Sequence, residues 1–247
     1  MQNPFSFDVV YFMYILMFII VVSAYRDGFF KNVFRNFFNE IREKKKSLLI
    51  ILIVIVLTVI FLDKRVTLSL NLRENESGLL ILLSHLGNII GDGKYLFSIL
   101  TTGALVSLLL KNTRIKNLFY LSLCSSLMLS ALNFVFKAIC HRQRPHTEYN
   151  PYLFFAFKKA FDEGKLFTNT YGSLPSGHTI SLTGACIVFA LYFKNIYVKA
   201  FFLLLPFLTG VARICTRKHW LSDILVSYVI GALFASSIYK YNSSKFK

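Results

Sequence analysis

The chain has 247 residues, 55% of them hydrophobic, and a mean hydropathy of +0.56. Repeated long apolar runs at that level exclude an ordinary soluble domain. The net charge of +16 would point to nucleic acid in a soluble protein; here basic loops beside a membrane account for it, and no nucleic-acid partner is expected.

Seven apolar segments follow in chain order, at roughly 8–25, 47–62, 95–110, 118–136, 179–193, 200–215 and 220–239. A membrane span needs about 20 residues. Segment 47–62 is short by that standard, but Lys46 and Lys64 can snorkel at its ends. Segment 8–25 lacks the basic leader and small-residue cleavage site of a signal peptide, so it is predicted to span. Between these two, "FFKNVFRNFFNEI" (29–41) sets Phe30, Val33, Phe34, Phe37, Phe38 and Ile41 at helical spacing, with basic residues over much of the other side. That pattern is either a helix lying in the cytoplasmic interface or one packed on a neighbouring span. "GLLILLSHLGNIIGDG" (78–93) is too short to span and too apolar for an open loop; it predicts an interfacial helix ended by the Gly91–Gly93 turn. No internal repeat and no Gly-rich phosphate loop stands out. Of the four cysteines, Cys124 and Cys186 lie inside apolar runs as small core residues. Cys140 and Cys215 sit beside basic residues, and the sequence leaves open whether they pair.

Seven crossings place the connecting loops on alternate faces. One face receives 26–46, 111–117, 194–199 and the tail from 240, with fifteen Lys/Arg against Asp27, Glu40 and Glu43. The loop 63–94 on the opposite face carries four basic and four acidic residues. The excess of Lys/Arg makes the first face cytoplasmic and starts the N-terminus outside. The fold class is therefore all-α, a polytopic transmembrane helical bundle.

Three polar clusters then reach the non-cytoplasmic face together: "KAICHRQRPH" (137–146) after the fourth span, "PSGH" (175–178) before the fifth, and "ARICTRKHWLSD" (212–223) between the sixth and seventh. Ser176 and Gly177 precede a helix whose first N–H groups lack partners, and such an end binds anions. Arg144 and Arg213 can grip phosphate oxygens in pairs, and Lys137 adds a point charge. His219 and Asp223 are four apart, so on a helix they share one face and can touch. A carboxylate accepting from one ring nitrogen fixes the tautomer and leaves the other nitrogen free to attack. His178 supplies the second role, a proton for the leaving oxygen. Each cluster alone has an ordinary explanation: helix capping, a satisfied His–Asp pair, an interfacial anchor. All three on one face point to phosphate chemistry.

With these residues the chain resembles the type-2 phosphatidic acid phosphatase superfamily, which shares its site with vanadium haloperoxidases. The family signature is K-x6-R-P, then P-S-G-H, then S-R-x5-H-x3-D. It is met by Lys137 through Arg144-Pro145, by Pro175 to His178, and by Arg213, His219 and Asp223. Ala212 stands where the family usually has Ser, and is not counted as a ligand. The resemblance implies His219 as the nucleophile forming a phosphohistidine, Asp223 as its orienting group and His178 as the general acid. It implies Lys137, Arg144, Ser176, Gly177 and Arg213 as phosphate ligands, with no metal and no cofactor. It also implies a six-span core at 47–247, with motifs at 137–145, 175–178 and 212–223. Residues 1–46 then form an added unit of one span and the basic amphipathic helix.

The expected activity is hydrolysis of a lipid phosphate or diphosphate, with the lipid tail in the bilayer and the head among the cations. Phosphatidic acid, phosphatidylglycerol phosphate, undecaprenyl diphosphate and lipid A phosphates are not separable from sequence. The loop 146–174 fits a membrane substrate: "PYLFFAFKKAFDEGKLF" places Phe154, Phe157 and Phe161 near one helical face with Lys158, Lys159 and Lys165 among them. That stretch is either an interfacial helix shaping substrate access or simple packing on the bundle. The alternatives are a lipid phosphotransferase of the same family and a non-catalytic anion-binding membrane protein. The expected location is a bacterial cytoplasmic (inner) membrane with the site facing the periplasm or exterior, the bilayer being the one partner besides substrate. Oligomeric state is not readable.

Overall fold

A computed structural model describes residues 28–72, 77–147, 150–166 and 168–242. The predicted span at 8–25 lies outside the described residues. Every regular element among the described residues is helical.

Helix α1 (Phe29–Glu43) leads into α2 (Lys45–Leu57), which continues through a π-helical turn, Thr58–Leu62, into α3 (Asp63–Ser69). The last three make one apolar rod of 25 residues. It runs past the position where Asp63, Lys64 and Arg65 predict the end of a span. Asp63 is fully buried, and its neutralising partners, described below, let the helix carry it. α4 (Gly78–Gly91) and α5 (Gly93–Leu109) meet at Asp92 with a bend of 52°. α6 (Thr113–Cys140), the short α7 (Phe157–Asp162), α8 (Gly177–Tyr192), α9 (Ile196–Cys215) and α10 (Leu221–Asn242) follow. By length and composition four described helices can cross a membrane, or five if the bent α4–α5 pair is one span. α8, at 16 residues, is shorter.

α8 is the central element, flanked by α6, α9 and α10. Its contacts use small residues and hydroxyls, as expected where apolar surface gains nothing from leaving lipid. Ser125 Oγ donates to the Gly184 carbonyl (3.0 Å) and Ser126 Oγ to the Ser181 carbonyl (2.6 Å), while the Ser130 and Ser181 hydroxyls meet at 2.7 Å. A Cβ at Gly184 would lie 2.3 Å from Leu129 Cδ1, so the close approach of α6 and α8 requires glycine there.

Two sequence expectations resolve. The amphipathic stretch packs on a neighbouring helix: Phe34 and Phe37 set their rings edge-on to Phe234 of α10 (5.8 and 5.5 Å), and Phe29 to Tyr241 (5.3 Å). Buried Glu40 anchors it, accepting from Ser236 Oγ, Lys240 Nζ and Lys44 Nζ. The stretch 78–93, predicted as an interfacial helix, instead packs along α9. A Cβ at Gly87 would lie 2.5 Å from the Leu208 carbonyl oxygen, and Thr209 Oγ1 donates to the Gly87 carbonyl (2.8 Å). Among the described residues of 146–174 only Phe157–Asp162 is α-helical, and the aromatics of this stretch divide. Phe157 stacks on His141 (centroids 4.5 Å), Phe154 faces Arg142, and Phe161 is exposed.

Candidate active site

Four helix ends converge at one end of the bundle: the C-termini of α6 and α9 and the N-termini of α8 and α10. Lys137 lies in the last turn of α6. That helix stops at His141, whose left-handed backbone (φ 39°) turns the chain back under α8. The following residues are tied down by the backbone: Ser173 N donates to the Arg142 carbonyl (3.0 Å) and Arg144 N to the Thr170 carbonyl (2.9 Å). Arg144 Nη2 reaches the Gly172 carbonyl (3.3 Å). The first and second motifs are thereby stitched together.

Ser176 is the N-cap of α8, in extended conformation, but its side chain does not cap the helix. Its hydroxyl pairs with Thr179 Oγ1 (3.0 Å) and its N–H donates to Ser227 Oγ (2.9 Å). The helix entrance thus keeps first-turn amides for an anion. A Cβ at Gly177 would lie 3.1 Å from Asn133 Nδ2 and 3.8 Å from Lys137 Nζ, so the bare glycine faces the ammonium. Asn133, one turn before Lys137 on α6, was not singled out by the sequence; the i, i+4 relation to Lys137 is the signal that finds it.

His219 is 1% exposed, in the turn between α9 and α10. Its Nδ1 lies 2.6 Å from the backbone carbonyl of Ser173. A carbonyl only accepts, so Nδ1 carries the hydrogen and Nε2 keeps its lone pair. The sequence expectation gives this orienting role to Asp223. In the structure the Asp223 carboxylate is 3.8 Å from Nδ1, an ion-pair distance rather than a hydrogen bond. Its Oδ2 instead accepts from Ser173 Oγ (2.5 Å) and Trp220 N (2.9 Å). Ser173 therefore links the two, its carbonyl to the ring and its hydroxyl to the carboxylate. A backbone carbonyl has no side-chain signature, and motif reading missed it.

Burial holds the His219 ring well below its ordinary pKa. The nearby Asp223 pulls the other way, and the charges of Arg213, Arg144 and Lys137 add to the depression. Three cations from two separate motifs thus act on one imidazole. Burial also lowers Arg144. Arg213 Nη1 donates to Asn88 Oδ1 (2.9 Å) on α4. His178 stands within electrostatic reach of Arg213, Lys137, Arg144 and Asp92, with Gly91 of the α4–α5 bend packed on its Cβ. All eight sequence-predicted residues thus gather at one end of the bundle.

Ala212 is buried against Gly87. Cys140 and Cys215 are both free thiols. Arg217 donates to the Pro145 carbonyl (3.0 Å), and His85 is exposed. Two cavities adjoin the cluster. One of about 230 Å³ is lined by Gly91, Phe97, Gly177 and His178. The other, about 460 Å³, is lined by Lys137, His141, Asn169 and Tyr171. Ser130 and Asn133 border both.

Residues 119–247, more than half of the chain, match the PAP2 superfamily. The chain belongs to the PAP2 superfamily. The match takes in α8, α9, α10 and nearly all of α6, hence all three motifs. Among solved structures, the crystal structure of Aquifex aeolicus LpxE is similar, with a TM-score of 0.53 and 22% identity over 73% of this chain and 96% of that one. At that identity the likeness speaks for the fold. No curated protein sequence matches the chain significantly. PAP2 membership supports a phosphatase, and the apolar helices make this PAP2 protein an integral membrane protein.

Proposed function

We propose that this PAP2 protein is a metal-independent lipid phosphate phosphatase that works through a phosphohistidine on His219. The observation that carries the reading is the 2.6 Å contact from His219 Nδ1 to the Ser173 carbonyl, which leaves Nε2 nucleophilic beside Lys137, Arg144 and Arg213. In the first step Nε2 attacks phosphorus and the bond to the lipid oxygen breaks. His178 delivers a proton to that oxygen, and the cations with the α8 amides hold the equatorial oxygens. Keeping the hydrogen on Nδ1 makes the phosphorylated ring cationic, and Asp223 is the nearby opposing charge. In the second step water attacks the P–N bond, gives a proton to His178 and restores neutral His219 with release of phosphate.

A lipid substrate is supported by the position of the site. Phe134, on α6 and lining the larger cavity, is 76% exposed, and Val135 and Ile139 on the same helix are also exposed. An acyl chain can lie along that apolar wall while the head reaches Gly177. The excess of Lys/Arg in 26–46, 111–117 and 194–199 supports a site on the non-cytoplasmic side. The test is phosphate release by purified protein in detergent with EDTA present, from a panel of phosphatidic acid, phosphatidylglycerol phosphate, undecaprenyl diphosphate and lipid A phosphates. At least one should be hydrolysed, and His219→Ala should abolish release while the variant elutes and melts like the parent. Unchanged release by His219→Ala would refute the reading. Transfer to an added alcohol instead of water would make it a phosphotransferase.

A further inference from the structure

Behind His219 lies a row of three buried charges from three distant parts of the chain. Arg142 is 1% exposed, and Asp63 and Asp223 are 0% exposed. Arg142 Nη1 donates to Asp223 Oδ1 in a short ion pair and to Ser222 Oγ (2.8 Å). Its Nη2 donates to Asp63 Oδ2 (2.7 Å) and the Pro151 carbonyl (2.8 Å). The guanidinium lies over the Phe154 ring (4.3 Å) and near that of Trp220 (5.6 Å). Asp63 also accepts from Ser222 N (2.8 Å) and Ser222 Oγ (2.6 Å). It follows directly on the π-helical turn, whose Ile60 carbonyl accepts from Tyr152 OH (3.0 Å).

A row of this kind is costly. Apolar residues of similar volume often match or exceed a buried ion triad in stability, so stability alone does not account for it. The charge count suggests what does. Arg142 paired with Asp223 alone would be neutral overall, and the guanidinium would offset part of the field that the Asp223 carboxylate exerts on the His219 ring. The second carboxylate, Asp63, leaves the row at −1, in low dielectric where a charge acts strongly. The ring needs that: it becomes cationic on phosphorylation and already faces Lys137, Arg144 and Arg213.

We infer that Asp63 and Arg142 are positioning residues for the phosphohistidine step, Arg142 fixing the Asp223 carboxylate and Asp63 returning a net negative charge to the wall behind His219. This rests on the proposed phosphatase reading, which the His219→Ala assay tests separately. The experiment compares Asp63→Asn, Arg142→Gln and the double variant with the parent, reading kcat, KM and melting temperature on the hydrolysed lipid. Asp63→Asn keeps the shape and most hydrogen bonds but neutralises the row; kcat should fall about tenfold or more at a KM within about twofold. The double variant restores −1 through Asp223 alone, so its kcat should exceed that of Asp63→Asn, and a rescue of kcat without a matching rescue of melting temperature separates the charge effect from repair of a broken ion pair. If Asp63→Asn does not fold, the double variant carries the test by retaining kcat within about tenfold of the parent. An Asp63→Asn enzyme with parental kcat, a double variant no faster than Asp63→Asn, or failure of both to fold would overturn the inference. Complete loss of release in His219→Ala alongside a normal Asp63→Asn would do so while leaving the phosphatase reading intact.

Discussion

Gly177→Ala tests the phosphate cradle with one methyl group. The backbone at 177 is ordinary helical, so alanine fits it without strain, and at a helical position alanine is favoured over glycine by up to about 1 kcal/mol. The new Cβ would stand 3.1 Å from Asn133 Nδ2 and 3.8 Å from Lys137 Nζ. The first distance needs a shift of a few tenths of an ångström, which a side-chain amide can make. The melting temperature should therefore stay level or rise. Activity should not survive equally well, because the methyl fills the space between the α8 entrance and the ammonium, where the phosphate oxygens are proposed to sit. Losing one well-aimed donor to a developing oxyanion costs about 10²–10³ in rate, or roughly 3–4 kcal/mol. A fall of about 10² in kcat/KM is expected, measured by phosphate release over a substrate range, with melting followed in the same detergent. A folded Gly177→Ala enzyme with kcat/KM within about twofold of the parent would refute the placement of phosphate at the α8 N-terminus.

Ser173→Ala removes the hydroxyl that donates to Asp223 but keeps the carbonyl that accepts from His219. A buried hydrogen bond to a charged group is worth about 1.5–3 kcal/mol, so melting should drop by several degrees while kcat falls less than about tenfold. Loss of activity as complete as in His219→Ala, with melting unchanged, would contradict the backbone carbonyl as orienting group. Acid should destabilise the fold through His219. Its folded pKa is depressed, so the stability it contributes is complete above the unfolded value near 6.5 and is lost as pH falls below that value toward the folded one. Between pH 6.5 and 5.5 the loss is about 1 kcal/mol, and His219→Asn should show a correspondingly shallower drop in melting temperature. An identical pH dependence in parent and variant would refute the neutral, buried ring.

The parts of the site legible in sequence are those that repeat a local rule. Lys137 to Arg144, Pro175 to His178 and His219 to Asp223 each span fewer than ten residues, and alternation of the helices brings the three ends together. Asp63 was not legible as part of the site. It opens the charged run Asp63-Lys64-Arg65, which predicts the end of a span, and its partners Arg142 and Ser222 lie 79 and 159 residues away. The same distance hides the cover over α1. Its amphipathic pattern is equally satisfied by lipid headgroups or by a partner helix, and only Phe234 and Tyr241 on α10 decide between them. The 78–93 helix was legible but its packing was not, because only the structure shows Gly87 and Gly91 letting α4 press against Leu208 and Thr209 of α9.

The serine contacts between α6 and α8 reach beyond packing. Sliding one rod past the other by a single residue moves it 1.5 Å and rotates its side chains by about 100°. The bonds from Ser125 and Ser126 to the carbonyls of Gly184 and Ser181 would all be lost in such a slip. The spacing between an ammonium on one rod and the bare glycine on the other is therefore set about one to three turns farther along the two helices. Substitutions at those serines, remote from any phosphorus, should detune the chemistry the way a loosened tuning peg alters a string.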